Sequence, residues 1–182
     1  KQKGTDFIRY IKGMYAIILF DNINKEINIY RDHSGQKNIY YYRNNKKIII
    51  SSEILPITKT SNFNNEVNYE YISESLAIGH PLSDNTIFSK ISKLLPGQTI
   101  TFDNYGEIKR KFTSKVETNK AFLDQSIYEC IDETIKNHTL SNSKVGINLS
   151  AGLDSNIVLY HSIKHKSNVE AFSTFFENSD ER

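Results

Sequence analysis

A strand–turn–helix–strand pattern near the end of the chain places the tightest limit on what this sequence can fold into. Short apolar stretches at Val145 to Leu149 and Val169 to Phe175 predict strands, and Asp154 to Lys164 between them predicts a helix. Two strands joined by a helical crossover run parallel, in a right-handed unit. Because one such unit cannot cover both faces of a parallel sheet, we expect the start of an α/β domain whose further strands lie beyond Arg182.

The first part of the chain has a different pattern, in which apolar stretches are separated by short polar turns. Met14 to Phe20 is an apolar run without alternation, and it predicts a strand that is buried on both faces. Hairpins are predicted where two strand-like stretches flank turn residues, as at Asp103-Asn-Tyr-Gly106. The predicted elements are a helix end at Thr5 to Lys12, strands at Met14 to Phe20 and Glu26 to Tyr30, a hairpin of Ile39 to Tyr42 with Ile48 to Ile50, a short helix with Ser51 or Ser52 as its cap, a helix at Asn68 to Ile78, and a hairpin of Gln98 to Phe102 with Glu107 to Phe112.

The character of the sequence changes near Phe112, where the polar and basic stretch Lys109 to Lys115 is typical of a linker. Beyond it, Lys120 to His138 carries apolar side chains four residues apart, which predicts an amphipathic helix with one buried stripe. The stripe consists of Leu123, Ile127, Ile131 and Ile135. We therefore predict two domains, an α+β domain at residues 1–114 and the start of an α/β domain at residues 115–182.

Composition argues against several classes of protein. The 182 residues include 23 Lys and Arg against 21 Asp and Glu, and this near balance does not support a nucleic-acid partner. The longest apolar run, Met14 to Phe20, is far shorter than the roughly 20 residues of a membrane-spanning helix, so we expect no membrane partner. A single cysteine, Cys130, excludes an internal disulfide framework and fits a reducing, cytoplasmic location. Met14 is also the only methionine, and we interpret the chain as a piece of a longer protein.

The most informative chemistry lies in Leu149-Ser-Ala-Gly-Leu-Asp-Ser155, between the predicted strand and the predicted helix. Backbone N–H groups and the positive end of a helix meet at such a turn and form an anion site. Gly152 allows a ligand to approach closely, and Ser150 and Ser155 add hydroxyl donors. A carboxylate at Asp154 would repel a phosphate unless a cation lay between them, which indicates a bridged Mg²⁺. An ordinary helix cap is the alternative interpretation.

Ser150-Ala-Gly-Leu-Asp-Ser155 resembles the Ser-Gly-Gly-x-Asp-Ser pyrophosphate loop of the ATP-pyrophosphatases. Further motifs, in matching order from about Gly4 to Glu181, narrow the resemblance to the glutamine-hydrolysing asparagine synthetases. These motifs are Gly13-Met-Tyr-Ala-Ile-Ile-Leu-Phe-Asp21, Arg31-Asp-His-Ser-Gly35 with Tyr40 and Tyr41 after it, Ile50-Ser-Ser-Glu53, Ile87-Phe88, Leu95-Pro-Gly97 and Phe172 to Phe176. The first three of them are similar to motifs of class II glutamine amidotransferases in general.

The resemblance implies a parent enzyme with two domains. An N-terminal-nucleophile (Ntn-type) αββα sandwich would hydrolyse glutamine, and an ATP-pyrophosphatase domain would use ATP and Mg²⁺ to adenylate a carboxylate such as aspartate, which ammonia then converts into the amide. The family's catalytic cysteine would lie before Lys1, so we expect this chain alone to have no glutaminase activity. The residues implied to bind ATP or pyrophosphate are Leu149, Ser150, Ala151, Gly152, Leu153, Asp154, Ser155 and Thr174, with Asp154 also on the metal.

Three residues depart from the family pattern. Ala151 stands where a second glycine is usual, and its Cβ would disfavour a positive φ beside the phosphate. Asn148 replaces an apolar strand residue, and Asn156 replaces a common serine. Two alternatives therefore stay open. One is a paralogue with another acceptor, such as a sugar amidotransferase or a macrolactam- or β-lactam-forming ligase, and the other is a non-catalytic binding or scaffold protein with a degenerate loop.

Other reactive side chains favour structural interpretations. Cys130 falls within a predicted helix and is expected to be an inert thiol. His161 and His165 are one helical turn apart but lack the zinc-protease pattern, so we interpret them as a plain polar face. His33 is expected in a loop. Because the sheets would lack some of their strands, we also expect a homodimer or another association that borrows strands from a neighbour.

Overall fold

The computed structural model describes residues 7–8, 10–44, 47–60, 63–114 and 126–175. The chain divides into two compact units, Lys1–Val116 and Glu117–Arg182. Thr5 and Leu123, which the sequence assigns to helices, lie outside the described residues. None of the helices within the described ranges is long and apolar enough to cross a lipid bilayer.

The first unit combines antiparallel sheets with helices. Its described elements are β1 (Ala16–Asp21), β2 (Glu26–Arg31), β3 (Tyr40–Asn44), β4 (Lys47–Ser51), α1 (Ile54–Thr58), α2 (Tyr69–Ile78), β5 (Ile91–Lys93), β6 (Gln98–Phe102) and β7 (Ile108–Thr113). One sheet has the strand order β1-β2-β6-β7, and the other has the order β4-β3-β5. The antiparallel pairing of β3 with β4 and of β6 with β7 confirms both predicted hairpins.

One core cluster of the first unit lies between these two sheets, and a second one joins Tyr42 and Ile91 to Ile57 of α1. Ile29 of β2 and Ile100 and Phe102 of β6 are buried together with Tyr41 of β3. The rings of Tyr41 and Phe102 meet edge to face, with their centroids 5.6 Å apart. The apolar faces of the two sheets therefore pack against each other.

β1 does not have the two buried faces that the sequence predicts. Side chains along β1 alternate between exposed and half-buried positions, and Ile18 and Phe20 are 53% and 57% exposed. Ile18 pairs with the core residue Ile29, so it lies on the core face of the sheet. The prediction fails because β1 is the edge strand, and the buried cluster between the sheets is built from other strands. Association through this uncovered strand stays a prediction.

The basic stretch that the sequence assigns to a linker forms β7 through Thr113. Glu26 of β2 is buried, and it accepts hydrogen bonds from Lys109 Nζ at 2.5 Å and Arg110 Nη2 at 3.1 Å. The positive charges of β7 thus compensate a buried carboxylate in the same sheet. Lys115 lies outside the described residues.

The two helices of the first unit begin differently. The sequence predicts a helix that begins at Asn68, and in the structure Asn68 is the residue that caps α2, since its side-chain oxygen accepts from Glu70 N at 3.1 Å and Tyr71 N at 3.2 Å. The prediction that Ser51 or Ser52 caps α1 is wrong. Glu53 occupies the cap position, and its side chain makes no capping hydrogen bond.

Arg31 connects the end of β2 to the loop that follows it and to the strand region near Leu94. Its guanidinium donates to Lys37 O at 2.8 Å and Asn38 Oδ1 at 2.9 Å, and also to the carbonyl oxygens of Gly35 and Leu94. The residue is only 4% exposed. The planar fork of arginine can serve these diverging acceptors, which a single ammonium group cannot reach together.

Asp32 closes the same loop. Its carboxylate accepts from Gln36 N at 2.9 Å and Lys37 N at 3.0 Å, and its carbonyl oxygen accepts from Gly97 N at 2.9 Å. Burial alone would raise the pKa of the Asp32 carboxyl, but donation from the Lys37 and Gln36 amides holds this pKa below its usual value. Hydrogen bonds within the Arg-Asp-x-x-Gly loop and to residues 94 and 97 therefore hold its shape, and His33 lies in this loop as expected.

The second unit contains α3 (Ile127–His138), β8 (Val145–Asn148), α4 (Leu153–His165) and β9 (Val169–Phe172). β8 and β9 pair in parallel, with Val145 opposite Val169 and Asn148 opposite Phe172. This arrangement confirms the predicted strand–helix–strand crossover. Both strands end earlier than the sequence predicts.

α3 is shorter and less buried than its pattern predicts. A capping box of Ser126 and Glu129 starts the helix, with Ser126 Oγ accepting from Glu129 N at 3.2 Å. Of the predicted stripe, Ile135 is buried and Ile131 is half-buried, whereas Ile127 is 80% exposed. Within the described residues, the single buried stripe is therefore confined to the second half of the helix.

One carboxylate joins α3 to α4. Asp132 Oδ1 lies 2.7 Å from His161 Nδ1, 3.0 Å from Lys164 Nζ and 3.0 Å from His165 Nε2. His161 is only 3% exposed and also contacts the ring of Tyr128. The plain polar face predicted for the two histidines is thus wrong, because they face the carboxylate of the neighbouring helix.

Replacing Arg31 should destabilise the first unit more than replacing an arginine near the surface. In Arg31→Met, the buried carbonyl oxygen of Leu94 and three part-buried oxygens lose their donor, and a stranded buried acceptor costs about 1–3 kcal/mol. Arg43→Met is the matched control, because Arg43 is more exposed and its partner Glu107 is solvated. Urea denaturation followed by circular dichroism measures the free energy of unfolding. Equal losses in the two variants would contradict the role assigned to Arg31.

The Asp132 contact should make the second unit sensitive to acid. Hydrogen bonds from His161 and Lys164 hold the pKa of the Asp132 carboxyl well below its usual value. The unfolded chain then binds the proton first, so this stabilisation is complete above the unfolded pKa of about 4 and is lost as the pH falls further. Asp132→Asn should therefore be destabilised at neutral pH, and its difference from the wild type should narrow in acid.

The matched control is Glu133→Gln, since Glu133 is the exposed neighbour of Asp132 on α3. Denaturant unfolding at a series of pH values measures both variants against the wild type. A gap between Asp132→Asn and the wild type that stays constant into acid would count against the ion-pair interpretation.

Candidate functional site

The candidate site is the turn from Leu149 to Gly152, between β8 and α4. Leu149 N donates to Phe172 O at 2.8 Å, and Ser173 Oγ donates to Leu149 O at 2.9 Å. These bonds join the start of the turn to the end of β9, and Thr174 is the next residue along the chain. The structure therefore brings Leu149 and the Thr174 segment together beyond the carboxyl ends of two parallel strands, where ligands of such sheets bind.

Two serine hydroxyls close the turn. Ser155 Oγ accepts from Ser150 N at 3.1 Å and lies 3.0 Å from Ser150 Oγ. Ser155 Oγ also lies 3.0 Å from the carbonyl oxygens of Ser150 and Gly152, and Ser150 Oγ accepts from Gly152 N at 3.1 Å. The sequence assigns both hydroxyls to a ligand, and in this structure both are engaged within the turn itself.

Asn156 holds the same turn from the first part of α4. Its Nδ2 donates to Gly152 O at 2.8 Å and lies 3.4 Å from Ser150 O. The backbone N–H of Asn156 adds a 3.4 Å contact to Gly152 O. The two carbonyl oxygens of the turn are therefore satisfied from the helix side.

In contrast to these carbonyl oxygens, most N–H groups of the turn have no hydrogen-bond partner in the described chain. Within the described part of the chain, the N–H groups of Ala151, Leu153, Asp154 and Ser155 donate to no protein acceptor. Such groups at the start of a helix carry the positive end of the helix dipole. Together they form a site that can accept an anion.

Ala151 does not have a positive φ, although the glycine that is usual at this position of the family motif suggests one. Lys25 is the non-glycine residue with a positive φ within the described ranges, and Gly152 has a φ of −74°. Ala151 therefore carries no left-handed strain. Gly152 is required for close packing rather than for a positive φ, since a Cβ there would lie 3.2 Å from Ser150 Oγ.

Asp154 lies in the first turn of α4, exposed to solvent. Its carboxylate makes no hydrogen bond or ion pair with the described residues, so its oxygens are available to a cation. Asp154 also lines a groove of about 520 Å³ between α3 and α4 whose other walls are mainly apolar. Cys130 lies half-buried in this groove.

Metal ligation by protein groups alone is not shown at this turn. Within the residues that the structure describes, no three His, Cys, Asp or Glu side chains are grouped so as to hold a metal ion. A cation at Asp154 would therefore take its other ligands from bound phosphate oxygens or water, as Mg²⁺ commonly does.

Sequence reasoning missed the role of Asn156, which it notes only as a departure from a family pattern. The available signal was an asparagine one helical turn after Gly152, because short polar side chains near a helix start bond to nearby backbone groups. The contact of Asp132 with His161 was also missed, since it joins residues from two different helices.

Two protein-family models match this chain. The model described as a glutamine amidotransferase domain matches residues 1–113, and the model described as asparagine synthase matches residues 126–182. The second match contains the whole candidate site.

Curated relatives extend across both units. The chain is 28% identical to a Methanocaldococcus jannaschii protein that carries the name of a glutamine-hydrolysing asparagine synthetase, over 96% of this chain and 36% of that relative. It is 24% identical to asparagine synthetase 1 of Bacillus subtilis, over 92% of this chain and 27% of the relative. It is 25% identical to asparagine synthetase B of Escherichia coli, over 87% of this chain and 24% of the relative.

The chain thus spans about a third or less of the length of these relatives. Its antiparallel sheets occupy the region that the first family model matches, and its parallel strand pair occupies the region that the second one matches. Since the first model alone covers residues 1–113, more than half of the sequence, this chain belongs to the glutamine amidotransferase domain family.

Proposed function

We propose that this chain is part of an ATP-dependent amidotransferase of the asparagine synthetase type, and that its Ser150–Ser155 turn binds pyrophosphate. The observation that carries the proposal is the uneven hydrogen bonding of the turn, in which the carbonyl oxygens are satisfied and the amides of Ala151 and Leu153 are not. The asparagine synthase match over residues 126–182 supports the same assignment.

The proposal assigns the two units to two domains. Residues 1–114 would be part of an Ntn-type αββα glutaminase sandwich, supported by two facing antiparallel sheets with helices. Residues 115–182 would begin an ATP-pyrophosphatase domain, supported by the parallel pair β8–β9 and its helical crossover. The single cysteine, which suits a reducing compartment, supports a cytoplasmic location.

In the proposed reaction, the carboxylate of aspartate attacks the α-phosphate of ATP and pyrophosphate leaves. Ammonia released from glutamine by water then displaces AMP and forms asparagine. The amides of Ala151, Leu153, Asp154 and Ser155 would hold the pyrophosphate oxygens, with Leu149 and Thr174 beside the nucleoside. Gly152 would leave the space that the closed turn requires.

Asp154 would hold Mg²⁺ next to these amides. The residues present fit the ion, because the carboxylate is exposed and has no described partner of its own. Mg²⁺, when bound, would neutralise charge on the leaving pyrophosphate. Asp154 keeps the ion in place, since a carboxylate beside a bound phosphate is repulsive without a cation between them.

The names of the relatives favour aspartate over another carboxylate acceptor. The substitution at Ala151 does not favour a different acceptor, because the residue is free of left-handed strain. The exchange experiment that follows also distinguishes an enzyme from a binding or scaffold protein, which would show no turnover.

Asp154→Asn should abolish ATP-dependent turnover while leaving the fold intact. The amide keeps the shape of the side chain but is a poor Mg²⁺ ligand, and such a loss typically costs several kcal/mol of transition-state stabilisation. ATP–pyrophosphate exchange with aspartate, in the protein that contains this chain, measures the effect. Circular dichroism and thermal unfolding check the fold.

Asn148→Asp is the comparison variant for Asp154→Asn. It changes the charge near the end of β8 but keeps the proposed metal ligand, so its exchange activity separates a general effect of charge from the loss of that ligand. Full exchange activity in Asp154→Asn would contradict the assignment of pyrophosphate to this turn. The turn would then be interpreted as an ordinary helix start. The absence of exchange in the wild type with every carboxylate tested would favour the scaffold alternative.

Ala151→Gly should leave the KM for ATP nearly unchanged. Because Ala151 has no positive φ to relax, the main effect is extra freedom of the unfolded chain, worth about 0.5–1 kcal/mol of stability. Exchange kinetics and a thermal melt test this together. A large gain in ATP affinity would show that the Cβ obstructs the bound nucleotide.

A further inference from the structure

We propose that Asn156 is a positioning residue that aims the amides of the turn at pyrophosphate. This inference rests on the proposed function and deepens it. Asn156 touches no ligand in this scheme, and its side chain acts on the backbone of residues 150–153.

The side chain of Asn156 contacts two carbonyl oxygens of the turn. Its Nδ2 lies 2.8 Å from Gly152 O and 3.4 Å from Ser150 O. Without donors, these oxygens would be free to turn toward the anion site, where their partial negative charge would repel phosphate. Donation from the amide of Asn156 keeps them on the helix side.

Peptide planarity transmits this constraint to the N–H groups. In a trans peptide, the C=O of one residue and the N–H of the next point in opposite directions. Fixing Ser150 O therefore orients the N–H of Ala151, and fixing Gly152 O orients the N–H of Leu153. These amides are two of those without a protein acceptor in the described chain.

The backbone N–H of Asn156 adds a 3.4 Å contact to Gly152 O, which a substitution of the side chain would leave in place. Ser155 contacts both oxygens, but it cannot hold them alone. Its Oγ lies 3.0 Å from each of Ser150 O and Gly152 O, and one hydroxyl proton can serve only one of them at a time. The amide of Asn156 has two N–H donors. Ser155 and Asn156 together therefore supply enough donors for both carbonyl groups.

The substitutions that test this role differ in their donors and in their charge. Asn156→Ala removes the donors in an exposed helical position, where alanine favours the helix. Asn156→Asp keeps the shape but places a carboxylate against two carbonyl oxygens. Asn156→Ser keeps one donor, which can reach the carbonyl four residues back, Gly152 O. Asn137→Ala, at an exposed position of α3, is the matched control.

The experiment uses the protein that contains this chain and measures the Kd of Mg²⁺-pyrophosphate by calorimetry. ATP–pyrophosphate exchange gives KM and kcat, and thermal unfolding gives the Tm. We expect Asn156→Ala to weaken pyrophosphate binding and raise the KM for ATP about tenfold, the size of one well-placed hydrogen bond. Asn156→Asp should lose about a hundredfold because the added charge also repels pyrophosphate.

The KM for aspartate and the Tm should not change in Asn156→Ala, and Asn156→Ser should restore most of the affinity for pyrophosphate. A purely structural role would lower the Tm and alter both KM values together. Wild-type affinity in Asn156→Ala and Asn156→Asp, with exchange lost in Asp154→Asn, would overturn the role of Asn156 and leave the proposed function standing. A wild type that neither binds pyrophosphate nor exchanges it would overturn both.

Discussion

The first N–H groups of a helix have no intrahelical acceptors, and the anion site proposed for the second unit depends on this deficit. The pairing of Asn148 with Phe172 fixes where β8 ends, and α4 begins at Leu153. Ser155 and Asn156 fill the space between them with donors that face carbonyl oxygens. The turn is therefore complete on its carbonyl side and incomplete on its amide side. A bound anion is the group that would complete it.

Elements with local signals could be predicted from the sequence. The hairpin of β6 and β7 follows from turn chemistry, since Asp103 Oδ1 accepts from Tyr105 N at 2.8 Å and Glu107 N at 2.9 Å, and Gly106 has a φ of +77°. The start of α2 near Asn68 and the β8–α4–β9 crossover are also predictable, because the apolar pattern along the chain marks these elements directly. The position of the candidate turn was also accessible, because a small-residue segment between a strand and a helix marks it directly.

Features that depend on neighbours distant in sequence could not be predicted. The apolar residues of β1 do not indicate that this strand lies at the edge of its sheet. The basic residues of β7 likewise do not indicate that they lie next to the buried Glu26. The burial of His161 depends on Asp132, which belongs to another helix. The positive φ expected at position 151 is also wrong, because a glycine in a family motif can be required for close packing as well as for a positive φ.

The order of charges along α4 connects the proposed anion site to the proposed cation. Lys164 and His165 lie in the last turn, at the negative end of the helix dipole, where Asp132 contacts both. Asp154 lies in the first turn, at the positive end of the same dipole. A pyrophosphate at the same end would compete with Asp154 for this field and would repel it. In the proposed site, a divalent cation between the two would reverse the sign of that interaction, so the position of Asp154 would favour a metal–pyrophosphate complex over the free anion.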